Sequence, residues 1–152
     1  MSIIVAIANE KGGVAKTTTT LSLGAALVET GLEVLLLDLD AQANLSMALG
    51  IDSAKVGKSM VSSLLESLPL QDAVIETGIP NLDIVPSTAE MGLVERYLPI
   101  RSQYEQVLAQ SLAANHWKYD FILMDCPPFL GATTTNALMA ANLLIMPTQA
   151  EF

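Results

Sequence analysis

Short, nearly continuous apolar runs recur along the chain: IIVAIA (3–8), EVLLLDLD (33–40), LDIVPS (82–87), YDFILMD (119–125) and LLIMPT (143–148). Runs of that length without strict alternation predict strands covered on both faces. Longer segments with helical spacing lie between them. In 16–30, Leu21, Ala25 and Val28 share one face, and Gly31 supplies a C-terminal stop. In 103–117, Leu108 lies one turn before Leu112, beside Val107, with polar residues opposite. Residues 132–142 carry an alanine-rich helical pattern, and 44–78 is helical in parts, interrupted by glycine and Pro69.

Strands alternating with helices predict βαβ units and so an α/β fold, a mostly parallel twisted sheet with helices on both faces. In such sheets ligands bind outside the carboxyl ends of the strands. Every chemically suggestive group should then follow a strand, and each does. A lysine-containing loop follows 3–8, Asp38 and Asp40 end 33–40, and Asp125 ends 119–125.

Composition narrows this picture. The 152 residues suffice for one domain with a real core, and half of them are hydrophobic. A formal charge of −9, with seven scattered basic residues, argues against a nucleic-acid surface built from this stretch. A lone cysteine, Cys126, excludes an intrachain disulfide and fits a reducing cytoplasm. The apolar start has no preceding positive charge and no small-residue cleavage site, so it reads as a buried first strand rather than a targeting signal. No run approaches the ~20 apolar residues needed to span a membrane. The chain has no tandem repeat, low-complexity tract or linker.

The stretch ANEKGGVAKTTTTLSLGAAL (8–27) carries the candidate chemistry. It departs from the phosphate-loop pattern G-x-x-x-x-G-K-[ST], because Glu10 and Ala15 stand where that pattern has glycine. The means to cradle phosphate are still there. Gly12 and Gly13 let the backbone approach an anion closely, and the following helix adds its positive N-terminal end. Lys16 would neutralise β- and γ-phosphates, and the Thr17 hydroxyl would coordinate Mg²⁺. The expected fold is therefore P-loop NTPase-like. Ala15 is expected in helical dihedrals, where its methyl costs little; a positive φ would cost about 1 kcal/mol.

KGGVAKTT (11–18) resembles the deviant phosphate loop of the ParA/MinD family of ATPases, which includes the plasmid- and chromosome-partition ATPases. LLLDLDAQANLSMALG (35–50) is similar to that family's second motif, and YDFILMDCPPFLG (119–131) to its Walker B region. TTNALMAANLLIMPTQAEF (134–152) is similar to the helix and strand that follow. The four ordered motifs cover essentially the whole chain and look closest to the partition, ParA/Soj-like branch. The resemblance implies that ATP or ADP binds with Mg²⁺ at Lys11, Gly12, Gly13, Val14, Ala15, Lys16, Thr17 and Thr18. Lys11 would be the signature lysine, reaching across a dimer interface into the partner's nucleotide and acting with Lys16 and Asp40 in catalysis. Asp40 would orient or activate the attacking water. Thr17 is the direct metal ligand in this reading, Asp38 supports the magnesium region, and Asp125 holds Mg²⁺ through a water.

The implied function is a Mg-ATP-dependent dimerisation switch with slow hydrolysis, acting in partition or positioning of plasmid or chromosomal DNA or another cargo. Its implied partners are a second copy on ATP binding, a ParB-like stimulating protein, and nonspecific DNA, in the cytoplasm or on the nucleoid. Family members usually continue further, and that region supplies the adenine pocket, part of the dimer interface and the basic DNA surface. The expectation is thus a single nucleotide-binding domain, 1–152, lacking that C-terminal part. One alternative is a MinD-like membrane-associated regulator of the division site, which needs an amphipathic helix not visible here. Another is a nucleotide-binding module without efficient hydrolysis. A redox role like that of the nitrogenase iron protein needs cluster-ligating cysteines, and Cys126 stands alone. Phe129 occupies a position where the family often has a small Ser. His116 and Trp117 read as packing or capping residues, the seven methionines as core filler, and Glu10 as solvent-facing or paired with a lysine.

Overall fold

A computed structural model describes residues 2–150 of the chain. Among these residues six strands form one sheet: β1 (Ile3–Ile7), β2 (Val34–Asp38), β3 (Ile75–Glu76), β4 (Leu82–Val85), β5 (Phe121–Asp125) and β6 (Leu143–Ile145). Their spatial order is β3-β4-β2-β5-β1-β6, parallel throughout except for the antiparallel β3–β4 pair. This bears out the expected P-loop NTPase-like α/β architecture. The predicted strands hold, each trimmed at its ends. The two-residue β3 falls inside the stretch expected to be helical in parts.

Among the described residues six α-helices cover the sheet: α1 (Lys16–Glu29), α2 (Asn44–Ala48), α3 (Met60–Glu66), α4 (Met91–Tyr97), α5 (Val107–Ala113) and α6 (Ala132–Ala140). Helix α5 is shorter than the 103–117 pattern, because 104–106 forms a separate 3₁₀ turn and 114–120 is not helical. Helix α4 is absent from the sequence reading. Its signal was the buried series Met91, Val94 and Leu98, spaced by three and four positions.

Alternate residues of each central strand face opposite layers. Val5, Ile7, Leu36, Ile84 and Leu123 pack under α1 and α2, where Leu21, Leu27, Val28 and Leu45 meet them. Leu35, Leu37, Val85, Ile122 and Met124 form the other layer with Met60 and Leu64 of α3, Val94 of α4 and Leu108 and Leu112 of α5. Helix α1 approaches the sheet through Lys16, Thr20 and Gly24, which are buried, while Leu21 and Val28 flank that seam half-buried. Gly24 permits the close contact, since a Cβ there would lie 3.1 Å from Leu36 Cδ2 and 3.4 Å from Leu82 Cδ1. Gly31 ends α1 as expected, with φ +88°.

Register decides where the polar groups gather. Asp125 pairs with Ile7 on one side and with Asp38 on the other. The two carboxylates and the loop leaving β1 therefore emerge at one carboxyl edge of the sheet. At the opposite end, Trp117 donates its indole N–H to Leu112 O at 2.9 Å and sits 6.0 Å from the Tyr119 ring. That supports the packing role read for it. Not all methionines are core filler: Met60, Met91 and Met124 are buried, but Met47, Met139 and Met146 are each more than half exposed. No helix of the described residues is long and apolar enough to cross a membrane.

Candidate functional site

The loop between β1 and α1 forms one wall of a cleft of about 290 Å³, lined among others by Gly12, Gly13, Lys16, Thr17, Asp40 and Pro128. Three separated motifs thus meet: the loop, the turn after β2, and the segment after β5. Gly13 has φ +73°, a conformation only glycine adopts without strain, and a Cβ on it or on Gly12 would point into open space. The backbone here is bare to whatever enters the cleft. Val14 is buried and does not line it, so its side chain belongs to the core.

Ala15 is a correction. It was expected in helical dihedrals, but it adopts φ 63°, ψ 30° and forms the N-cap of α1 without any side-chain cap. The left-handed turn lets the chain reverse from the loop into a helix whose first turn points at the cleft. The methyl costs about 1 kcal/mol, the value of the left-handed penalty. With no capping side chain and no acidic residue in its first turn, the positive end of α1 is left for an external anion.

Lys16 is only 8% exposed, and its Nζ donates to Lys11 O at 3.2 Å, which holds the ammonium over the loop. The Lys11 N–H donates to Asn9 Oδ1 at 2.9 Å, and its side chain is exposed. Glu10 is exposed as well. Two bonds from the segment after β6 brace the loop: Asn9 Nδ2 donates to Pro147 O at 2.8 Å, and Gln149 Nε2 to Gly13 O at 3.2 Å.

At the floor, the Thr17 hydroxyl donates to Asp125 Oδ2 at 2.6 Å, and the Thr20 hydroxyl lies 3.5 Å from Asp125 Oδ1. Burial pushes the Asp125 carboxyl up to about 7, with the Thr17 hydrogen bond and the Lys16 charge pulling the other way. Thr17 and Asp125 bring a hydroxyl and a carboxylate together, oxygen groups of the kind that bind Mg²⁺. Among the described residues no group of three or more His, Cys, Asp or Glu could hold a metal by itself. A cation here would take its remaining ligands from water and from the bound anion, which is how Mg²⁺ is usually held.

Asp38 is fully buried and does not line the cleft. Its Oδ2 accepts from Ser46 N at 2.9 Å and Ser46 Oγ at 2.7 Å, and its Oδ1 accepts from Asp40 N at 3.2 Å. Burial still raises its carboxyl to about 6. Its contacts tie the turn carrying Asp40 to α2. Asp40 is half-buried at the cleft, with Oδ1 accepting from Gln42 N at 2.9 Å and its carbonyl accepting from Ser87 Oγ at 2.6 Å. Ser46 and Ser87 were not singled out in the sequence, and they hold both aspartates. Ser46 lay inside the quoted second motif, whereas Ser87 comes from the end of β4 and carried no signal.

The fold and the site together define a P-loop NTPase with a deviant loop. Known proteins agree. The AAA_31 family, described as an AAA domain, matches residues 2–152. The sporulation initiation inhibitor protein Soj of Bacillus subtilis is 40% identical over 152 residues, covering 100% of this chain and 60% of Soj. The chromosome partitioning protein ParA of Caulobacter vibrioides is 40% identical over 151 residues, covering 98% of this chain and 57% of ParA. A crystal structure named cobyrinic acid a,c-diamide synthase from Mycobacterium smegmatis, with bound ADP and magnesium, superposes with a TM-score of 0.95 at 40% identity. It is covered over 62% of its length, and this chain over 100%. A plasmid partition protein from Borrelia burgdorferi superposes with a TM-score of 0.86 at 30% identity, over 99% of this chain and 66% of that one. The chain belongs to the ParA/MinD family of deviant phosphate-loop ATPases. It spans about half to three fifths of the length of the curated relatives it matches.

Proposed function

We propose that this chain carries the nucleotide site of a Mg-ATP-dependent dimerisation switch of the partition type, which hydrolyses ATP slowly and positions plasmid or chromosomal DNA or another cargo. One observation carries the reading: the bare Gly12–Gly13 backbone, Lys16, Asp40 and Thr17, whose hydroxyl is held by the buried Asp125, meet at one cleft. A relative crystallised with ADP and magnesium, and another with an ATP analogue and magnesium, support the choice of ligand.

In this reading Lys11 to Thr18 wrap the triphosphate, and Lys16 neutralises its β- and γ-oxygens. Mg²⁺, when bound, would supply further charge neutralisation. Thr17 would hold the ion through its hydroxyl, and Asp125 would hold it through a water. Asp38 holds the Asp40 turn from behind. Asp40 orients a water in line with the γ-phosphorus; the water's oxygen forms the new bond as the bond to the β-bridging oxygen breaks, leaving ADP and phosphate. Positioning and charge account for the rate, since phosphoryl transfer asks little covalent chemistry of the protein. Lys11 reaches the nucleotide of a second copy, so hydrolysis weakens the dimer. A ParB-like protein would stimulate this step. DNA contact is assigned to the part of the relatives' length that this chain does not span. The setting is the cytoplasm or the nucleoid.

The test uses fluorescent ATP binding and light scattering on three proteins. Lys16→Ala should weaken ATP binding by at least about tenfold, as expected for loss of a charge-assisted phosphate contact. Asp40→Ala should keep ATP, lose phosphate release and hold the ATP-bound dimer. Unchanged ATP affinity in Lys16→Ala would overturn the site, and a mass independent of nucleotide in both wild type and Asp40→Ala would overturn the switch.

A further inference from the structure

On the layer of the sheet away from α1, a second cleft of about 480 Å³ opens between the C-terminal turn of α3, the following Leu68–Pro69–Leu70 segment, Arg101 and α5. It shares no lining residue with the cleft at the phosphate loop. Its wall is apolar where Leu68, Leu70 and Val107 line it, and polar where Ser63, Arg101, Gln110 and Ser111 do. Among the described residues no acidic side chain lines it, although the chain carries a net charge of −9.

Two features of this cleft are unaccounted for by the fold. Ser63 is 2% exposed, and its buried Oγ has no hydrogen-bond partner among the described residues. An orphaned buried hydroxyl costs about 1–3 kcal/mol, so its retention at a cavity wall points to a partner that comes from outside. Arg101 donates from Nη1 to Leu64 O at 3.0 Å and from Nη2 to Leu65 O. These bonds cap the last carbonyls of α3 and fix the guanidinium at the cleft. A guanidinium has five N–H groups, so three donors remain.

We propose that this cleft is a binding site for a small organic monocarboxylate with an apolar body. Its carboxylate takes the remaining guanidinium donors of Arg101 and the Ser63 hydroxyl, and its body lies against Leu68, Leu70 and Val107. The volume is in the range of small-ligand pockets. The charge count selects the class: one cation and no second basic lining residue match a single negative charge, and leave a dianionic phosphate half-compensated.

The probe is hexanoate, titrated into the ¹⁵N-labelled chain, with hexanamide as the neutral match in shape and inorganic phosphate as the second anion. Saturable shifts confined to residues around 63–70 and 107–115 are expected for hexanoate, with at least about tenfold weaker binding for hexanamide and for Arg101→Gln. Because Arg101→Gln also removes two caps from α3, Ser63→Ala carries the test independently of folding. It should weaken hexanoate binding several-fold and leave the melting temperature unchanged or raised, whereas a merely structural serine would lower it. The proposal is overturned if hexanoate and hexanamide bind alike, if Ser63→Ala leaves the affinity intact, if phosphate competes as well as hexanoate does, or if ATP displaces the probe.

Discussion

Asp125→Asn should stabilise the nucleotide-free protein at neutral pH while abolishing its use of magnesium. Asp125 is 1% exposed, and its carboxyl is raised from 3.8 to about 7, chiefly by burial. A carboxyl whose folded value exceeds its unfolded one binds its proton more tightly in the native state. The stabilisation it brings is therefore full below about pH 3.8 and lost as pH rises through about 7. At pH 8 the ionised form costs about 4 kcal/mol, taking about 1.4 kcal/mol for each tenfold change in proton affinity. Asn keeps the shape and an acceptor for the Thr17 hydroxyl without the charge. Its new amide N–H₂ needs partners of its own, which reduces the expected gain to about 2 kcal/mol. For a chain of this size that corresponds to a rise of roughly 5 °C in melting temperature. The assay is thermal unfolding followed by circular dichroism, in chelator and without nucleotide, at pH 8 and at pH 4.5. The gain should be present at pH 8 and reversed at pH 4.5, where the avoided ionisation cost falls to about 1 kcal/mol and the amide's cost of about 2 kcal/mol leaves the variant slightly less stable. An equal difference at both values, or a variant less stable than wild type at pH 8, refutes the reasoning. A stabilised variant that loses Mg-dependent nucleotide binding would show a site maintained against stability.

Two further predictions concern the supports of the site. Ser46→Ala removes the 2.7 Å bond to Asp38 and strands the buried Ser87 N–H, which donates to Ser46 Oγ at 3.1 Å. A charged hydrogen bond and an orphaned N–H together are worth about 3–5 kcal/mol, so urea unfolding should show a loss of that order; a loss under about 1 kcal/mol would mean that water replaces the hydroxyl. Ala15→Gly relieves a left-handed alanine worth about 1 kcal/mol but loosens the unfolded chain by about 0.5–1 kcal/mol, so the stability should stay nearly constant. A clear loss in that variant would show that the methyl makes a contact outweighing its strain.

The strand–helix alternation, the position of the phosphate loop and the three aspartates at strand ends were all legible in the chain, because they are local. Continuous apolar runs record burial on both faces, and Gly-Gly-x-x-Lys-Thr records a bare backbone leading into a helix. Helix α4 shows the limit of such reading, since only Met91 and Val94 within it are buried, with Leu98 just beyond its end, which is too short a series to mark a helix. Ala15 shows a different limit, because its dihedrals follow from where the loop must leave β1 and where α1 must dock. A residue's φ is set there by the path between two packed elements, not by its own preference. The same holds for Ser87, whose hydroxyl matters only because β4 lies beside β2.

The sequence by itself determined the class of the protein and the residues able to meet a phosphate. Tertiary structure alone decided that Asp38 holds a turn while Asp125 faces Thr17, although both are aspartates ending buried strands. The physical reason is register: parallel pairing sets Asp38, Asp125 and Ile7 side by side, and the helix that docks above each carboxylate supplies its donor, Ser46 of α2 for Asp38 and Thr17 of α1, which itself lines the cleft, for Asp125.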